Sequence, residues 1–212
     1  MVESLLIYET EAKTQGFRFI LGVDEAGRGP LAGPVVAAAV CLKDSNFICR
    51  IDDSKKLTSK AREKAFHEIF DKAFVGIGFI SEVGIDHVNI LNATFIAMEL
   101  AVCRLVNQIN KQDFKSVPSE KNIKVLVDGN SFKTNLPYQY KTIVEGDAKS
   151  LSIACASIVA KTYRDRMMNQ YDSIFPQYGF KTHKGYPTAS HKSAILQHGP
   201  SIIHRKTFQG VL

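Results

Sequence analysis

Acidic residues stand at the ends of apolar segments in this chain of 212 residues. Ligands of open α/β sheets bind where strands end, so we expect these carboxylates to meet at one edge of a sheet. Gathered carboxylates repel one another unless cations neutralise them, and oxygen donors suit Mg²⁺ or Mn²⁺. A pair of such ions can support phosphodiester cleavage. The residues concerned are Asp24, Glu25, Asp128 and Asp147.

Each of these carboxylates also has a structural interpretation. Asp128 precedes Gly129, and aspartate is common in such turns for backbone geometry alone. Asp147 could cap a helix. Asp24 argues more strongly for function, because a charge at the end of a buried segment needs a partner. Neighbouring strand residues point to opposite faces, so Glu25 should lie where the strand is already turning, or reach around it.

A glycine-rich stretch, GRGPLAG, follows the first two acids. It lacks the pattern of a P-loop. Its backbone N–H groups could approach a phosphate or a sugar closely, with Arg28 adding positive charge. A plain hairpin turn explains the same glycines equally well.

Strand and helix patterns alternate around these residues, which predicts an α/β fold with a mixed rather than purely parallel sheet. A polar stretch from Asn107 to Asn122 is interpreted as a surface connection. The predicted strands are Phe17–Val23, Val35–Leu42, Ala73–Ile80, Ile123–Val127 and Tyr140–Val144. The predicted helices are Ser59–Asp71, Asp86–Asn110, Leu151 to about Tyr171 with Ser150 as its cap, and Ala189–Gln197.

Composition limits the classes of protein that fit. The chain is 45% hydrophobic with a net charge of +6, so it can bury a core and is compatible with a polyanionic partner. Its length allows one domain with an appendage or two small ones. His183, His191, His198 and His204 could be metal ligands but show no supporting spacing, and we interpret them as structural or phosphate-facing.

The four cysteines show no C-x-x-C spacing, and we interpret Cys41, Cys103 and Cys155 as buried thiols in a reducing compartment. The N-terminus carries no leader pattern, and no apolar segment approaches the roughly 18–20 residues that span a bilayer. The sequence therefore predicts a cytoplasmic protein without a membrane partner.

Six motifs in order closely resemble those of the ribonuclease HII family, and they extend from residue 22 to residue 208. A single motif would be suggestive, whereas six in family order are specific. They are GVDEAGRGPLAGPVVAAAV (Gly22–Val40), DSKKLT (Asp53–Thr58), VDGN (Val127–Asn130), GDAKSLSIACASIVAKTYRDR (Gly146–Arg166), HKGYPTASH (His183–His191) and IHRKTF (Ile203–Phe208).

This resemblance implies an RNase H-like mixed sheet flanked by helices, with a small C-terminal helical extension. It divides the chain into a catalytic domain, 1–175, and an extension, 176–212, that contributes to substrate binding. It implies an endonuclease with a two-metal Mn²⁺ or Mg²⁺ site. We expect this endonuclease to be a monomer, although the sequence leaves the oligomeric state open. The enzyme would cut the RNA strand of RNA–DNA hybrids, and duplex DNA that holds single ribonucleotides, on the 5′ side of the ribonucleotide.

The resemblance also implies roles for individual residues. The four carboxylates bind metal and are catalytic, while Gly27, Arg28 and Gly29 recognise the ribonucleotide through its 2′-OH and phosphates. Tyr186 stacks on the sugar of the next nucleotide. By a looser match to the family, the resemblance implies phosphate contacts for Lys55, Lys56, Lys149, Lys161 and Arg164.

Two alternatives remain at this stage. Ribonuclease HIII is the nearest, but it usually carries an additional N-terminal domain and lacks the Gly-Arg-Gly loop. A module that binds hybrids without cutting them is the second. Clustered carboxylates argue against it, because negative charge beside a phosphate backbone weakens binding unless a metal compensates.

Overall fold

A computed structural model describes residues 3–112 and 118–212 of the chain. Five strands form one sheet in the order β3-β2-β1-β4-β5. Neighbours β1–β2 and β2–β3 are antiparallel, while β1–β4 and β4–β5 are parallel, so the prediction of a mixed sheet is confirmed. The strands are β1 (Phe19–Ala26), β2 (Val35–Leu42), β3 (Ala73–Ile80), β4 (Ile123–Asp128) and β5 (Gln139–Ile143).

Helices cover both faces of this sheet. Serine or threonine caps precede several of them: the hydroxyl of Ser150 accepts from the Ile153 N–H at 3.3 Å, as the sequence predicted. The helices are α1 (Ile7–Thr14), α2 (Ser59–Lys72), α3 (Glu82–Val88), α4 (Ile90–Gln112), α5 (Leu151–Ile174), α6 (Phe180–His183) and α7 (Ala189–His198).

The two faces of the sheet hold separate apolar cores. Helix α4 packs on one face through residues such as Ala97, Ala101 and Leu105, and α5 packs on the other together with α2. Glycine allows the close approach of α5: a Cβ at Gly22 in β1 would lie 2.2 Å from the Ser152 carbonyl carbon. Position 22 therefore tolerates no side chain.

Two predicted boundaries were wrong. The helical pattern over 86–110 is two helices, because Asn89 takes a left-handed conformation (φ 67°) and its side chain then caps α4 by accepting from the Asn92 N–H at 3.0 Å. The polar stretch predicted as a connection still belongs to α4 as far as Gln112, because Val106 and Ile109 are buried on the sheet. Residues 113–117 of that stretch lie outside the described part of the chain.

Helix α4 also corrects the expectation that no segment reaches membrane-spanning length. Its stretch Ile90–Lys111 has a mean hydropathy of 1.4 and is long enough to cross a bilayer. Half of it is buried against the sheet, as in the core helix of a folded domain. Cys103 on the same helix is exposed rather than buried, because it faces away from the sheet.

The C-terminal part of the chain forms a third apolar cluster beside the sheet. Tyr178, Phe180 and Ile203 pack there against Leu31 and Met168. Leu31 belongs to the glycine-rich loop that follows β1, so the C-terminal segment rests on the loop that continues from the two acidic residues.

Candidate active site

Three of the four predicted carboxylates line a single cleft of about 310 Å³. Asp24 and Glu25 lie near the end of β1, and Asp128 is the last residue of β4. Because β1 and β4 are parallel neighbours, their carboxyl ends meet at the same edge of the sheet. The convergence expected from the sequence is therefore present for Asp24, Glu25 and Asp128.

Asp24 is held from two sides and is only 5% exposed. Its Oδ1 accepts the Glu25 N–H at 2.7 Å, and the Ser157 hydroxyl of α5 also hydrogen-bonds its side chain. The Ser157 hydroxyl lies in turn 3.0 Å from that of Ser54. Burial raises the pKa of Asp24 well above its usual range, and the charges of Glu25 and Asp128 add to that effect.

Glu25 lies inside the strand, which continues to Ala26 before it turns. Its pairing with β2 is regular, so alternation places it on the face opposite Asp24, yet its side chain lines the same cleft. The pairing of β1 with β4 ends at Val23. Glu25 therefore lies past the edge of that pairing, where its side chain can reach the cleft. Burial raises its pKa; Arg28, with its Nη1 3.4 Å from the Glu25 Oε1, opposes the rise.

Asp147 lies at the margin of this cluster, on a short 3-10 turn, Gly146–Ala148. It is not among the described residues that line the cleft. Burial raises its pKa, followed by the charges of Asp128 and Asp53, so its carboxyl group is close enough to interact with both. The fourth predicted carboxylate thus lies near Asp128, outside the lining of the cleft.

The donor set fits a divalent cation. All four groups supply hard oxygen atoms, and a cation among them would offset the burial and the mutual repulsion that raise the pKa values of Asp24, Glu25 and Asp147. Across residues 3–112 and 118–212, no three His, Cys, Asp or Glu side chains are already drawn together at ligand spacing. Carboxylates that repel one another are expected to stay farther apart than ligand spacing until a cation binds.

The glycine-rich loop and Tyr186 form another wall of the cleft. Gly27 has φ +98°, and a Cβ there would lie 2.1 Å from the Nε of Arg164, so only glycine fits. A Cβ at Gly29 would lie 3.7 Å from the Cε1 atom of Tyr186, which places that ring beside the loop. Tyr186 is 42% exposed, so one part of it is free to contact a ligand.

The predicted basic contacts differ in position. Lys55 and Lys161 line the cleft, and Lys161 also pairs with Asp165 at 2.8 Å. Burial lowers the pKa of Lys55, but Asp53 and three of the site carboxylates outweigh it and raise the pKa above the usual value. Lys56 and Lys149 are exposed but lie outside the lining of the cleft.

Arg164 requires a correction. Its side chain is buried, 1% exposed, and donates from Nε to the Pro34 carbonyl and from Nη2 to the Ala32 carbonyl, both at 3.0 Å. Its Nη1 donates to the Lys184 carbonyl at 3.0 Å. A guanidinium placed in this way cannot meet a phosphate, so the predicted phosphate contact is wrong and Arg164 instead supports the loop.

Sequence reasoning missed several residues that hold the site. Ser157 was visible as a polar position in the otherwise apolar stretch from Ile153 to Ala160, and its contact with Asp24 explains it. Arg205 is fully buried and donates to carbonyls of the glycine-rich loop. No spacing signal marks Arg205, because its partners are about 175 positions away in the chain.

Comparison with known proteins identifies close relatives. The sequence model described as Ribonuclease HII matches residues 21–211. The ribonuclease HII of Geotalea daltonii is 49% identical over 98% of this chain and 90% of its own length. The crystal structure of ribonuclease H2 from Pyrococcus horikoshii has a TM-score of 0.67 at 24% identity, over 92% of this chain and 95% of that one.

A second solved structure shares the fold at lower identity. It is Bst-RNase HIII in complex with Mn²⁺, with a TM-score of 0.65 and 17% identity over 94% of this chain and 70% of that one. Both structural likenesses confirm the RNase H-like fold that the sequence motifs implied.

Proposed function

The chain belongs to the ribonuclease HII family of metal-dependent endonucleases that act on the RNA of RNA–DNA hybrids, and from this we propose that it also cuts at single ribonucleotides embedded in duplex DNA. One observation carries the proposal. Three of the carboxylates (Asp24, Glu25 and Asp128), the Gly27–Gly29 loop and Tyr186 line the same cleft, so a phosphate beside these carboxylates would lie close to groups able to recognise its sugar.

We assign metal binding and catalysis to Asp24, Glu25, Asp128 and Asp147. These carboxylates would hold Mn²⁺ or Mg²⁺, which would supply activation of a water molecule and stabilisation of the leaving oxygen. The Mn²⁺ complex of a structural neighbour supports this choice of ion. Asp128 accepts the Gly146 N–H through Oδ1, which leaves its Oδ2 for a ligand, while Asp24 is oriented by the Glu25 N–H and by the Ser157 hydroxyl.

Recognition of the ribonucleotide is assigned to the loop and to Tyr186. The 2′-OH is the group that distinguishes RNA from DNA at a given position, so a single embedded ribonucleotide can be found only by contact with it. Gly27, Arg28 and Gly29 would contact the 2′-OH and adjacent phosphates, while Tyr186 packs on the next sugar, a deoxyribose. Cleavage then falls on the 5′ side of the ribonucleotide and leaves 3′-OH and 5′-phosphate ends.

Further parts of the chain contribute to binding in this proposal. Lys55 and Lys161 in the cleft contact phosphates, with Lys56 and Lys149 at its periphery. Residues 176–212 form an extension on a catalytic domain, 1–175, and supply Tyr186 to the site. The protein acts as a monomer in the cytoplasm. Its four free cysteines are consistent with that reducing compartment.

Three labelled duplexes test the proposal: a uniform RNA–DNA hybrid, a DNA duplex with one ribonucleotide, and the same duplex entirely of DNA. With Mn²⁺ or Mg²⁺ we expect cleavage of the first two only, and none with chelator. The single-ribonucleotide duplex should be cut at one position, which end analysis of the products locates. Binding of the hybrid without metal-dependent cleavage would favour the alternative of a non-cutting module.

A further inference from the structure

Two adjacent residues of the C-terminal segment, His204 and Arg205, lie behind the wall of the cleft. Both are buried, at 1% and 0% exposed. Their backbone runs antiparallel to the glycine-rich loop: the Gly33 N–H donates to the Ile203 carbonyl at 2.9 Å, and the Arg205 N–H donates to the Leu31 carbonyl at 2.8 Å. Neither residue lines the cleft, so any effect on a substrate must pass through other groups.

The Arg205 guanidinium orients the peptide units of the loop. Its Nη1 donates to the Arg28 carbonyl at 3.0 Å and its Nη2 donates to the Gly27 carbonyl at 2.6 Å. Its Nε also donates to the Gly33 carbonyl at 2.9 Å. The fork of the guanidinium thus draws consecutive carbonyl groups of the loop toward the interior.

Because each peptide unit is planar and trans, fixing a carbonyl group also fixes the direction of the N–H group that follows it. The N–H of the next residue points opposite to each carbonyl, so the N–H groups of Arg28 and Gly29 point away from Arg205. Among the described residues neither N–H has a hydrogen-bond partner. Two unpaired donors on a loop that lines the cleft suit a phosphate or hydroxyl oxygen of a ligand.

His204 is linked to the backbone of Tyr186 through an intermediate histidine, His191. Its Nδ1 lies 2.9 Å from the Ser201 backbone nitrogen, which is a donor, so Nδ1 accepts and the proton of the neutral ring stands on Nε2. That Nε2–H faces the His191 Nε2 at 3.0 Å, which must then accept. The His191 proton therefore stands on Nδ1 and is donated to the Tyr186 carbonyl at 2.9 Å.

We propose that His204 and Arg205 are positioning residues for sugar recognition: Arg205 aims the N–H groups of Arg28 and Gly29 into the cleft, and His204 holds Tyr186 opposite them through His191. This inference rests on the proposed function, since it assigns those groups to the reading of the ribonucleotide. Two consecutive residues of the C-terminal segment thus position both the loop N–H groups and Tyr186, the two parts of the proposed sugar-recognition site.

The hydrogen-bond relay can be measured in the wild-type protein without activity. Nitrogen-15 NMR of the imidazole groups at neutral pH separates the two neutral tautomers and the charged form. We expect His204 to carry its proton on Nε2 and His191 to carry its proton on Nδ1. The opposite tautomer in either ring, or a charged ring, would overturn the relay. This test does not depend on the folding of any variant.

Variants test the effect on the substrate. Arg205→Lys keeps the charge and loses the planar fork, while His204→Phe keeps a ring and loses the hydrogen bonds to Ser201 and His191. We expect kcat/KM on the single-ribonucleotide duplex to fall about tenfold or more, the scale of one lost hydrogen bond, with a smaller loss on a uniform hybrid, where many registers compensate. Mn²⁺ affinity by calorimetry should stay near that of the wild type.

Matched controls lie on other elements. Arg104→Lys alters another guanidinium that donates to a backbone carbonyl, that of Ile77, and His67→Phe alters an exposed histidine of α2. Both controls should behave as the wild type on both substrates. Equal losses on the two substrates, or lowered Mn²⁺ affinity in the positioning variants, would overturn the inference. If the wild type itself fails to cut the single-ribonucleotide duplex, the proposed function fails, and the inference fails with it.

Discussion

The Asp128 carboxylate accepts the Gly146 N–H at 2.6 Å, which fixes the end of β4 against the turn that carries Asp147. A Cβ at Gly146 would lie 3.1 Å from the Oδ1 atom of Asp128 and 2.7 Å from the Cδ1 atom of Ile153, so this approach depends on glycine. Two segments that bring negative charge together are thus joined by a backbone hydrogen bond. The fold itself therefore fixes the segments that carry Asp128 and Asp147 relative to each other.

Asp128→Asn should separate metal binding from folding. The amide keeps an oxygen that can accept the Gly146 N–H, while the negative charge is lost, so the fold should survive. We expect kcat with Mg²⁺ or Mn²⁺ to fall at least about 100-fold, the scale seen when one group that stabilises transition-state charge is removed. Hybrid binding, measured by fluorescence anisotropy with chelator, should persist because the lysines are unchanged.

Asp71→Asn, at an exposed carboxylate near the end of α2, is the matched control for that experiment and should cleave as the wild type does. Near-wild-type turnover by Asp128→Asn would count decisively against the assignment of Asp128.

Asp24→Asn should stabilise the metal-free protein while it abolishes cleavage. Burial, then Glu25 and Asp128, raise the pKa of Asp24, so its ionised form costs stability at neutral pH. Asparagine keeps an acceptor for the Glu25 N–H and removes that cost, so we expect a gain of about 0.5–2 kcal/mol in the free energy of unfolding. Urea titrations with chelator measure it.

The sign of the pH dependence follows from the same shift. A carboxyl group whose folded pKa is raised costs stability above that pKa, and the cost disappears as the pH falls and the folded group takes up its proton. The advantage of Asp24→Asn should therefore be largest at neutral pH and shrink toward acid. An advantage that grows on acidification would mean that Asp24 is stabilised as the anion.

The acids and the loop were predictable because their chemistry is local in the sequence. Asp24, Glu25 and the three residues Gly27 to Gly29 lie within six positions, so an apolar run that ends in charge and glycine already indicates a site. The mixed sheet followed equally well from strand patterns. These parts of the fold depend on short segments and on which residues can be buried.

Arg164 and Arg205 could not be interpreted in this way. Both stand in basic motifs, where a solvent-exposed or phosphate-bound guanidinium is the ordinary expectation. Their partners are backbone carbonyls, which every residue possesses and no pattern marks. Burial of a positive charge beneath a loop is a property of the assembled fold, so the sequence predicted the loop and missed its supports.

His204 should make the protein lose stability in moderate acid. Burial and the neighbouring His191 lower its pKa to about 4, from an ordinary value of 6.5. The unfolded chain then binds more protons than the folded one between these values, so stability is lost as the pH falls through that window. The full shift corresponds to about 3 kcal/mol. His204→Gln, which cannot titrate, should flatten this part of the curve.

Chemical denaturation at several pH values measures this effect in the wild type and in His204→Gln. Because carboxyl groups with raised pKa values contribute the opposite slope, the difference between the two curves is the test, and identical pH dependence in the wild type and His204→Gln would contradict the neutral relay.

Arg164 and Lys161 should give opposite phenotypes although they are one helical turn apart. Arg164→Met leaves two buried carbonyls and one partly buried carbonyl without this donor, so we expect a loss of about 3 kcal/mol or more in the free energy of unfolding. Lys161→Ala should change that free energy by about 1 kcal/mol at most, since its pair with Asp165 is partly exposed. It should instead weaken hybrid binding and reduce the salt slope by about one ion.

Tyr186→Ala tests whether the ring reads the junction between ribose and deoxyribose. The variant removes an aromatic surface beside Gly29, and by analogy with stacking on bases we expect a loss of about 1–3 kcal/mol of contact. The loss in kcat/KM should be larger on a duplex with one ribonucleotide than on a uniform hybrid, where many registers are available. Tyr186→Phe keeps the ring and should retain most activity on both substrates. If Tyr186 only braces the loop next to Pro187, its removal would weaken both substrates equally, and an equal drop would therefore exclude the junction-reading role.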